Sequence, residues 1–205
     1  MTTISHQERI QGGLYGLLVG DALGVPYEFH APKHIPTQAL IEFVPPPGFR
    51  RAHAAVPPGT WSDDGAQALA LLSSLLDVGH LDLQDFGQRL VEWYTNGRFA
   101  VDQKVFDIGI QTTQAIQALM RGVPARQAGP STEQANGNGS LMRVLPLTLW
   151  HQGSDAELVA DARAQSMISH GHLRSQMCCA LYCLWARRLL EHEHCLLYTS
   201  DAADE

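Results

Sequence analysis

The feature that most restricts the fold of this chain is the regular return of helix start and stop signals without an alternating strand pattern. Residues 5–24 form one helical stretch, which ends at Val25 and Pro26 because proline disfavours helical geometry in the residue before it. Ser154 and Glu157 have the spacing of a capping box at the start of another helix. Because six or more helices are predicted in this way, we expect a compact all-α domain.

Two long irregular segments separate the predicted helices. The remaining helices are predicted from Thr60 or Ser62 to Asp77, from Asp82 to just before Gly97, from near Asp107 to Arg121, from Ser154 to about Ser169, and over residues 173–193. Residues 30–60 are rich in proline, and residues 122–139 are rich in glycine and polar side chains. Long irregular segments in compact domains are often functional, so both are candidates for a site.

The first helix carries four regularly spaced glycines. Gly12, Gly16, Gly20 and Gly24 recur at every fourth residue, so they form one stripe along the helix. Such a stripe predicts that another backbone packs closely against this face.

Composition and charge exclude several classes of protein. The chain has 205 residues, 45% of them apolar and 17% charged, with a formal charge of −7, so a basic nucleic-acid-binding surface is not expected. Asp21 interrupts the apolar run near the N-terminus before it reaches the roughly 20 residues that a bilayer requires. The polar N-terminus lacks the order of a secretory signal. We therefore expect a soluble cytoplasmic protein without nucleic-acid or membrane partners.

The segment GTWSDDGAQALALL raises the question of what two adjacent aspartates do before a helix. One interpretation is that Asp63 and Asp64 only stabilise the helix N-terminus, each by about 0.3 to 1 kcal/mol. The other is a metal site, since Ser62, Asp63 and Asp64 offer three hard oxygens that suit Mg²⁺, Mn²⁺ or Ca²⁺ better than zinc. Trp61 beside them favours a site that is partly shielded from solvent over one on an open surface.

Other loops carry polar groups of the same kind. They are Asp21, Glu28, Asp107, Asn136, Asn138, Ser140 and His170. A flexible turn is an alternative for residues 136–139, and a solvated helix boundary is an alternative for His170. Each group is a weak signal by itself.

Taken in order, these motifs are specific. GLLVGDALGVPYEF, PPGTWSDD, DIGIQTT, NGNGSLMRVLPL and SHGHLRS resemble the ADP-ribosylglycohydrolase family over most of the chain, from residue 10 to about 194. The resemblance implies an all-α fold and a site for two Mg²⁺ or Mn²⁺ ions. It also implies a hydrolase that removes ADP-ribose from a modified protein side chain or a small ADP-ribosyl compound. The alternative is a non-catalytic relative that serves as a binding or structural protein.

The resemblance also assigns roles by position. It implies metal ligands at Ser62, Asp63 and Asp64, catalytic groups at Glu28 and Asp64, and an ADP-ribose pocket at Asp107, Asn138, Gly139, Ser140 and His170. Gly65 departs from the threonine that the family usually has after the two aspartates, but none of the first ligands is missing.

The C-terminal part of the sequence departs further from the family. The Asp-x-Asp-Thr/Ser motif that completes the family's metal site does not occur, so residues 1–194 are expected to be an incomplete domain. Residues 195–205 back-translate to a sequence resembling a transposon adapter, and we expect them to be read-through rather than native protein. The chain alone is therefore expected to be inactive.

Overall fold

The computed structural model describes residues 4–191, which contain α-helices, short 3₁₀ turns and no strand. The helices are α1 His6–Gly24, α2 Asp63–Val78, α3 Leu83–Asn96, α4 Ile110–Met120, α5 Ala125–Ala128, α6 Leu145–Trp150, α7 Asp155–Met167 and α8 Leu173–Glu191. The predicted all-α class is confirmed. No helix in this part of the chain is long and apolar enough to cross a bilayer.

Capping residues explain where the central helices begin and end. Ser62 caps α2 by accepting a hydrogen bond from the Asp64 amide, and Asp82 caps α3. Gly79 and Gly97 close the two helices in the left-handed conformation, with φ of 79° and 69°. The capping box predicted for α7 is present at Ser154.

One hydrophobic core holds these helices together. α2 packs against α3 and α6, while α7 and α8 form an extensively paired neighbouring layer. The core includes Leu71, Leu75, Phe86, Leu90, Trp93, Ile116, Val144, Leu147, Leu158, Ile168, Cys179 and Cys183. Because α2 lies in the middle of this core, its N-terminus is a fixed point on which a site can be built.

The predicted close packing on the glycine stripe is wrong. A Cβ atom placed on Gly12, Gly16, Gly20 or Gly24 would meet nothing within 4 Å among residues 4–191, so no described segment packs on this stripe. The helix instead contacts the core through its other side, where a Cβ on Gly13 would lie 3.3 Å from Leu149. Spacing identified the stripe correctly but could not say which face turns inward.

A second exposed face runs along α8. Leu173, Met177, Leu181 and Trp185 recur every fourth residue and are each at least 42% exposed. They form an exposed apolar ridge along α8. A different face of the same helix is buried and contributes Cys179 and Cys183 to the core.

Two helix boundaries differ from the prediction. α4 begins at Ile110 rather than near Asp107, because Asp107 has a left-handed backbone with φ of 59°. The segment predicted as loop over residues 122–139 contains the short helix α5. The proposed read-through segment 195–205 lies outside the described residues, and its origin stays a prediction.

Candidate metal and ADP-ribose site

A cavity of about 1060 Å³ opens at the N-termini of α2 and α4. Among the residues that line it are seven predicted site residues: Glu28, Asp63, Asp64, Asp107, Asn138, Gly139 and His170. Residues separated by more than a hundred positions in the sequence therefore share one space. Ser62 and Ser140, the other two predicted residues, lie behind the lining.

The end of α1 holds the two aspartates in place. Asp21 Oδ2 accepts hydrogen bonds from the amides of Ser62 at 2.9 Å and Gly65 at 2.8 Å, and its Oδ1 accepts one from Ser62 Oγ at 2.8 Å. Asp21 thus ties α1 to the first turn of α2. The Ser62 hydroxyl donates to this clamp and accepts from the Asp64 amide at 3.4 Å, which leaves one lone pair available to a cation.

Gly65 is crowded, which accounts for the departure from threonine. A Cβ atom at this position would lie 2.9 Å from both Leu18 and Trp61, closer than van der Waals contact allows. Trp61 is itself anchored, because its Nε1 donates to the Phe99 carbonyl at 3.0 Å. Glycine therefore lets α1 and Trp61 approach the start of α2.

Behind the cavity, a buried polar relay fixes one oxygen of Asp63. Arg143 Nη1 donates to Gln67 Oε1 at 2.7 Å, and Gln67 Nε2 donates to Asp63 Oδ2 at 3.2 Å. Arg143 and Gln67 are both fully buried. Because the amide oxygen of Gln67 accepts the hydrogen bond from Arg143, the amide nitrogen has to face Asp63. The nitrogen binds Asp63 Oδ2, so Asp63 Oδ1 is left for other partners.

The acidic groups strongly perturb one another. Burial, followed by the charges of Asp64 and Asp107, raises the pKa of Asp63 to about 9. Burial and the charge of Asp21 raise the pKa of Asp64 to about 6. Burial also raises the pKa of Glu28, against the opposing effect of its hydrogen bond with His53. Burial is the largest cause in each case and the neighbouring like charges add to it, so these carboxylates are costly to ionise without a cation.

Sequence reasoning missed His53, which belongs to this cluster. Its Nε2 lies 2.7 Å from Glu28 Oε2 and 3.6 Å from Asp107 Oδ1. The ring also lies against Phe29 and Phe106, at centroid distances of 5.5 and 5.1 Å. His53 comes from the proline-rich loop, where no capping or periodic pattern relates it to Glu28.

A neutral polar loop forms the opposite side of the cavity. A Cβ atom on Gly139 would lie 2.7 Å from the ring of His170, and one on Gly137 would lie 2.8 Å from Gln111 Oε1. These glycines therefore allow the backbone to lie close to the side chains of His170 and Gln111. The segment is packed in place, unlike the flexible turn considered as an alternative. Burial, followed by the charge of Arg143, lowers the pKa of His170 to about 3, so its imidazole is neutral at pH 7.

Ser140 supports this loop from behind. Its hydroxyl lies 2.8 Å from Ser166 Oγ, and its carbonyl accepts a hydrogen bond from Gln165 Nε2 at 3.2 Å. The side chain is fully buried. In this geometry Ser140 fixes the path of the loop, while Asn138 and Gly139 face the cavity.

The donor set fits a hard divalent cation. Glu28, Asp63, Asp64 and Asp107 line the cavity, and no lysine or arginine does so within the described part of the chain. Carboxylate and hydroxyl oxygens are the ligands that Mg²⁺ and Mn²⁺ prefer. A cation would also remove the repulsion that raises the pKa of Asp63 and Asp64.

Comparison with known proteins identifies the family of this chain. A model of the ADP-ribosylglycohydrolase family matches residues 2–205. The chain belongs to the ADP-ribosylglycohydrolase family.

Individual relatives are similar over most of this chain. It is 30% identical over 172 residues to the ADP-ribosylarginine hydrolase Tri1 of Serratia proteamaculans, which covers 84% of this chain and 44% of the relative. It is 32% identical over 179 residues to the ADP-ribosyl-[dinitrogen reductase] glycohydrolase of Rhodospirillum rubrum, covering 87% of this chain and 57% of the relative.

A solved structure confirms the fold. A chain of an ADP-ribosylglycohydrolase-related protein complex superposes with a TM-score of 0.74 at 29% identity, covering 92% of this chain and 58% of that one. The present chain thus spans about half the length of the relatives it matches.

Proposed function

We propose that this chain carries the first part of the active site of a metal-dependent hydrolase that releases ADP-ribose from a modified protein side chain or a small ADP-ribosyl compound. The observation that carries the proposal is the cavity itself, in which Glu28, Asp63 and Asp64 face the neutral loop of Asn138 and His170. The names of the relatives favour ADP-ribosylarginine or ADP-ribosylated dinitrogen reductase as the substrate class.

The two sides of the cavity suit the two ends of such a substrate. ADP-ribose carries a diphosphate, which the carboxylates would repel and the neutral loop would not. His170 offers a neutral ring nitrogen at Nε2, since its Nδ1 lies 2.9 Å from Ser169 Oγ. We therefore assign the diphosphate to the side of Asn138, Gly139 and His170, and the ribose to the acidic side.

Ser62, Asp63 and Asp64 would hold a Mg²⁺ or Mn²⁺ ion. When bound, such an ion supplies Lewis-acid chemistry: it orients oxygen ligands and lowers the pKa of a coordinated water. The relay from Arg143 through Gln67 occupies Asp63 Oδ2, so Asp63 would offer Oδ1. The Asp21 clamp keeps Ser62 and the first turn of α2 at a fixed distance from α1.

Glu28 would act on the water that attacks the ribose. Cleavage of a ribose C1 bond passes through an oxocarbenium-like state, and a carboxylate beside the sugar can orient a water and accept its proton. Glu28 follows the 3₁₀ turn Val25–Tyr27 and is half-buried at the cavity edge. Its raised pKa favours proton uptake from the water.

The non-catalytic alternative has less support. A purely structural role gives no reason to retain several mutually repelling carboxylates around one cavity. Their retention costs stability and is accounted for by a cation and a reaction.

The test uses the chain and a chimera in which residues 1–194 replace the aligned part of the Rhodospirillum rubrum relative. We expect Mn²⁺-dependent release of ADP-ribose from ADP-ribosyl-arginine by the chimera and none above the blank by the 205-residue chain. The unmodified relative serves as the positive control.

A folded chimera that neither binds ADP-ribose by calorimetry nor releases it would refute the proposed function. Turnover by the chain alone would show instead that its own residues complete the site.

A further inference from the structure

Glu28, His53 and Asp107 form a cluster, here termed the imidazole cluster, that differs chemically from the Ser62, Asp63 and Asp64 site. The three side chains come from separate segments, and one ligand atom of each lies within 4.8 Å of the others. The cluster combines one nitrogen with two carboxylate oxygens. All three side chains are intermediate in exposure, and those of Glu28 and Asp107 line the cavity.

Hydrogen bonding within the protein does not satisfy this cluster. His53 Nε2 pairs with Glu28 at 2.7 Å, and the distance of 3.6 Å to Asp107 is too long for a second hydrogen bond. Within residues 4–191, the Asp107 carboxylate accepts no hydrogen bond. The nearby cations are engaged elsewhere, since Lys104 binds the Ala55 carbonyl and Arg51 binds the Ala54 carbonyl.

We propose that the imidazole cluster is a second cation site, which takes a borderline transition metal of the Zn²⁺ or Co²⁺ class. An imidazole ligand favours these ions over Mg²⁺, and three protein ligands leave coordination positions for water. The metal takes the lone pair of His53 Nε2, so the ring proton lies on Nδ1 in the bound form. The hydrogen bond between His53 and Glu28 is replaced by one metal bond to each residue.

The surroundings of His53 support a preformed site. Phe29 and Phe106 lie against its ring, so the ring needs little reorientation to bind an ion. Because Glu28 is shared, an ion here and the role proposed above for Glu28 exclude each other. A zinc-class ion would therefore inhibit a hydrolase built on this cavity.

The test is a Co²⁺ titration of the tag-free 205-residue chain, followed by its visible ligand-field absorption and by competition with Zn²⁺. Saturating Mg²⁺ is kept present so that the Ser62, Asp63 and Asp64 site is occupied, and we expect one further Co²⁺ ion per chain that Zn²⁺ displaces and Mg²⁺ does not. His53→Phe should weaken Co²⁺ binding about tenfold or more, because it removes the nitrogen ligand while keeping an aromatic ring. His53→Gln serves as the second variant in case the phenylalanine disturbs folding, which circular dichroism checks.

Two matched controls locate the ion. His34→Phe makes the same substitution at an exposed histidine of the same loop and should leave Co²⁺ affinity unchanged. Asp64→Asn should leave the visible Co²⁺ bands of the imidazole cluster in place, since it removes none of the three ligands. Unchanged Co²⁺ affinity in a folded His53 variant, or a thiolate charge-transfer band that places cobalt on cysteine, would overturn the proposal. Neither result depends on hydrolase activity.

Discussion

The cavity has two acidic walls that are held in different ways. The helix wall, Asp63 and Asp64, belongs to the first turn of α2 and is fixed by Asp21 and by the buried relay through Gln67. The loop wall, Glu28 and Asp107 together with the neighbouring His53, comes from segments outside regular structure. Carboxylates are thus presented once by a rigid helix and once by connecting loops.

This difference assigns different tasks to the walls. The ligands proposed for Mg²⁺ or Mn²⁺ need near-octahedral placement, which the fixed first turn of α2 can provide. A group that handles a water or meets a variable substrate gains from a position on a loop. The four predictions below test this division, from the largest expected effect to the smallest.

Asp63→Ala in the chimera should abolish Mn²⁺-dependent ADP-ribose release, because it removes a proposed metal ligand from the fixed first turn of α2. A helix-end carboxylate contributes only about 1 kcal/mol to stability, so circular dichroism should show unchanged helicity. Asp155→Ala, in the first turn of α7 and remote from the cavity, is the control and should keep full turnover. Near-normal turnover in Asp63→Ala would indicate that this residue only stabilises the N-terminus of α2.

Glu28→Gln in the chimera should lower kcat by about 10² to 10⁴-fold, the range typical for a general base. It keeps the shape of the side chain and a hydrogen bond with His53, so Mn²⁺ affinity and Tm should change little. The exposed Glu42 provides the matched Glu→Gln control. A large loss of Mn²⁺ affinity would place Glu28 with the metal ligands and erase the distinction between the walls.

Stability of the metal-free chain should fall as pH rises. Because the pKa of Asp63 is raised to about 9, the folded chain keeps a proton that the unfolded chain loses above about pH 4. The unfolded state therefore binds fewer protons between these values, so the free energy of unfolding decreases with pH. Asp63→Asn should flatten this dependence and stabilise the chain at pH 8 by on the order of a few kcal/mol.

Urea unfolding with EDTA at pH 5 and pH 8 measures this effect. Glu28→Gln should flatten the dependence less, because Glu28 is less buried and His53 opposes the rise of its pKa. An equal change in the free energy of unfolding between pH 5 and pH 8 for the parent chain and Asp63→Asn would contradict the electrostatic account of the helix wall.

Asp21→Asn should have the smallest effect, a loss of about 1 kcal/mol in the free energy of unfolding. The amide keeps one acceptor for the Ser62 and Gly65 N–H groups and loses the charge that strengthens these bonds. Removing a charge beside Asp64 offsets part of the loss. Asp102→Asn, at an exposed site, controls for the substitution itself, and a loss above that control confirms the clamp.

Local signals in the sequence predicted most of the fold. Ser62, Asp82 and Ser154 are each found at the helix cap where capping chemistry placed them. These predictions succeed because a cap involves residues only two or three positions apart. The orientation of the glycine stripe depends on packing between distant elements, and the prediction there was wrong.

The site divides in the same way. The motifs identified Glu28, Asp63, Asp64 and His170 as candidate site residues, and all four line one cavity in the structure. Their chemical roles stay predictions. His53 and Gln67 were missed because their roles depend on contacts that only the fold creates: His53 pairs with Glu28, and Gln67 links Arg143 to Asp63. A lone histidine in a proline-rich loop and a glutamine inside a helix carry no pattern of their own.

The crowding at Gly65 limits which substitutions this position accepts. A Cβ atom there lies 2.9 Å from Leu18 Cδ2 and 2.9 Å from Trp61 Cβ, so threonine requires both neighbours to shift. Leu18→Ala removes one of these two contacts, and we expect it to reduce the destabilisation caused by Gly65→Thr. The effects of the two substitutions are therefore not additive, and the residue at position 18 limits what position 65 tolerates.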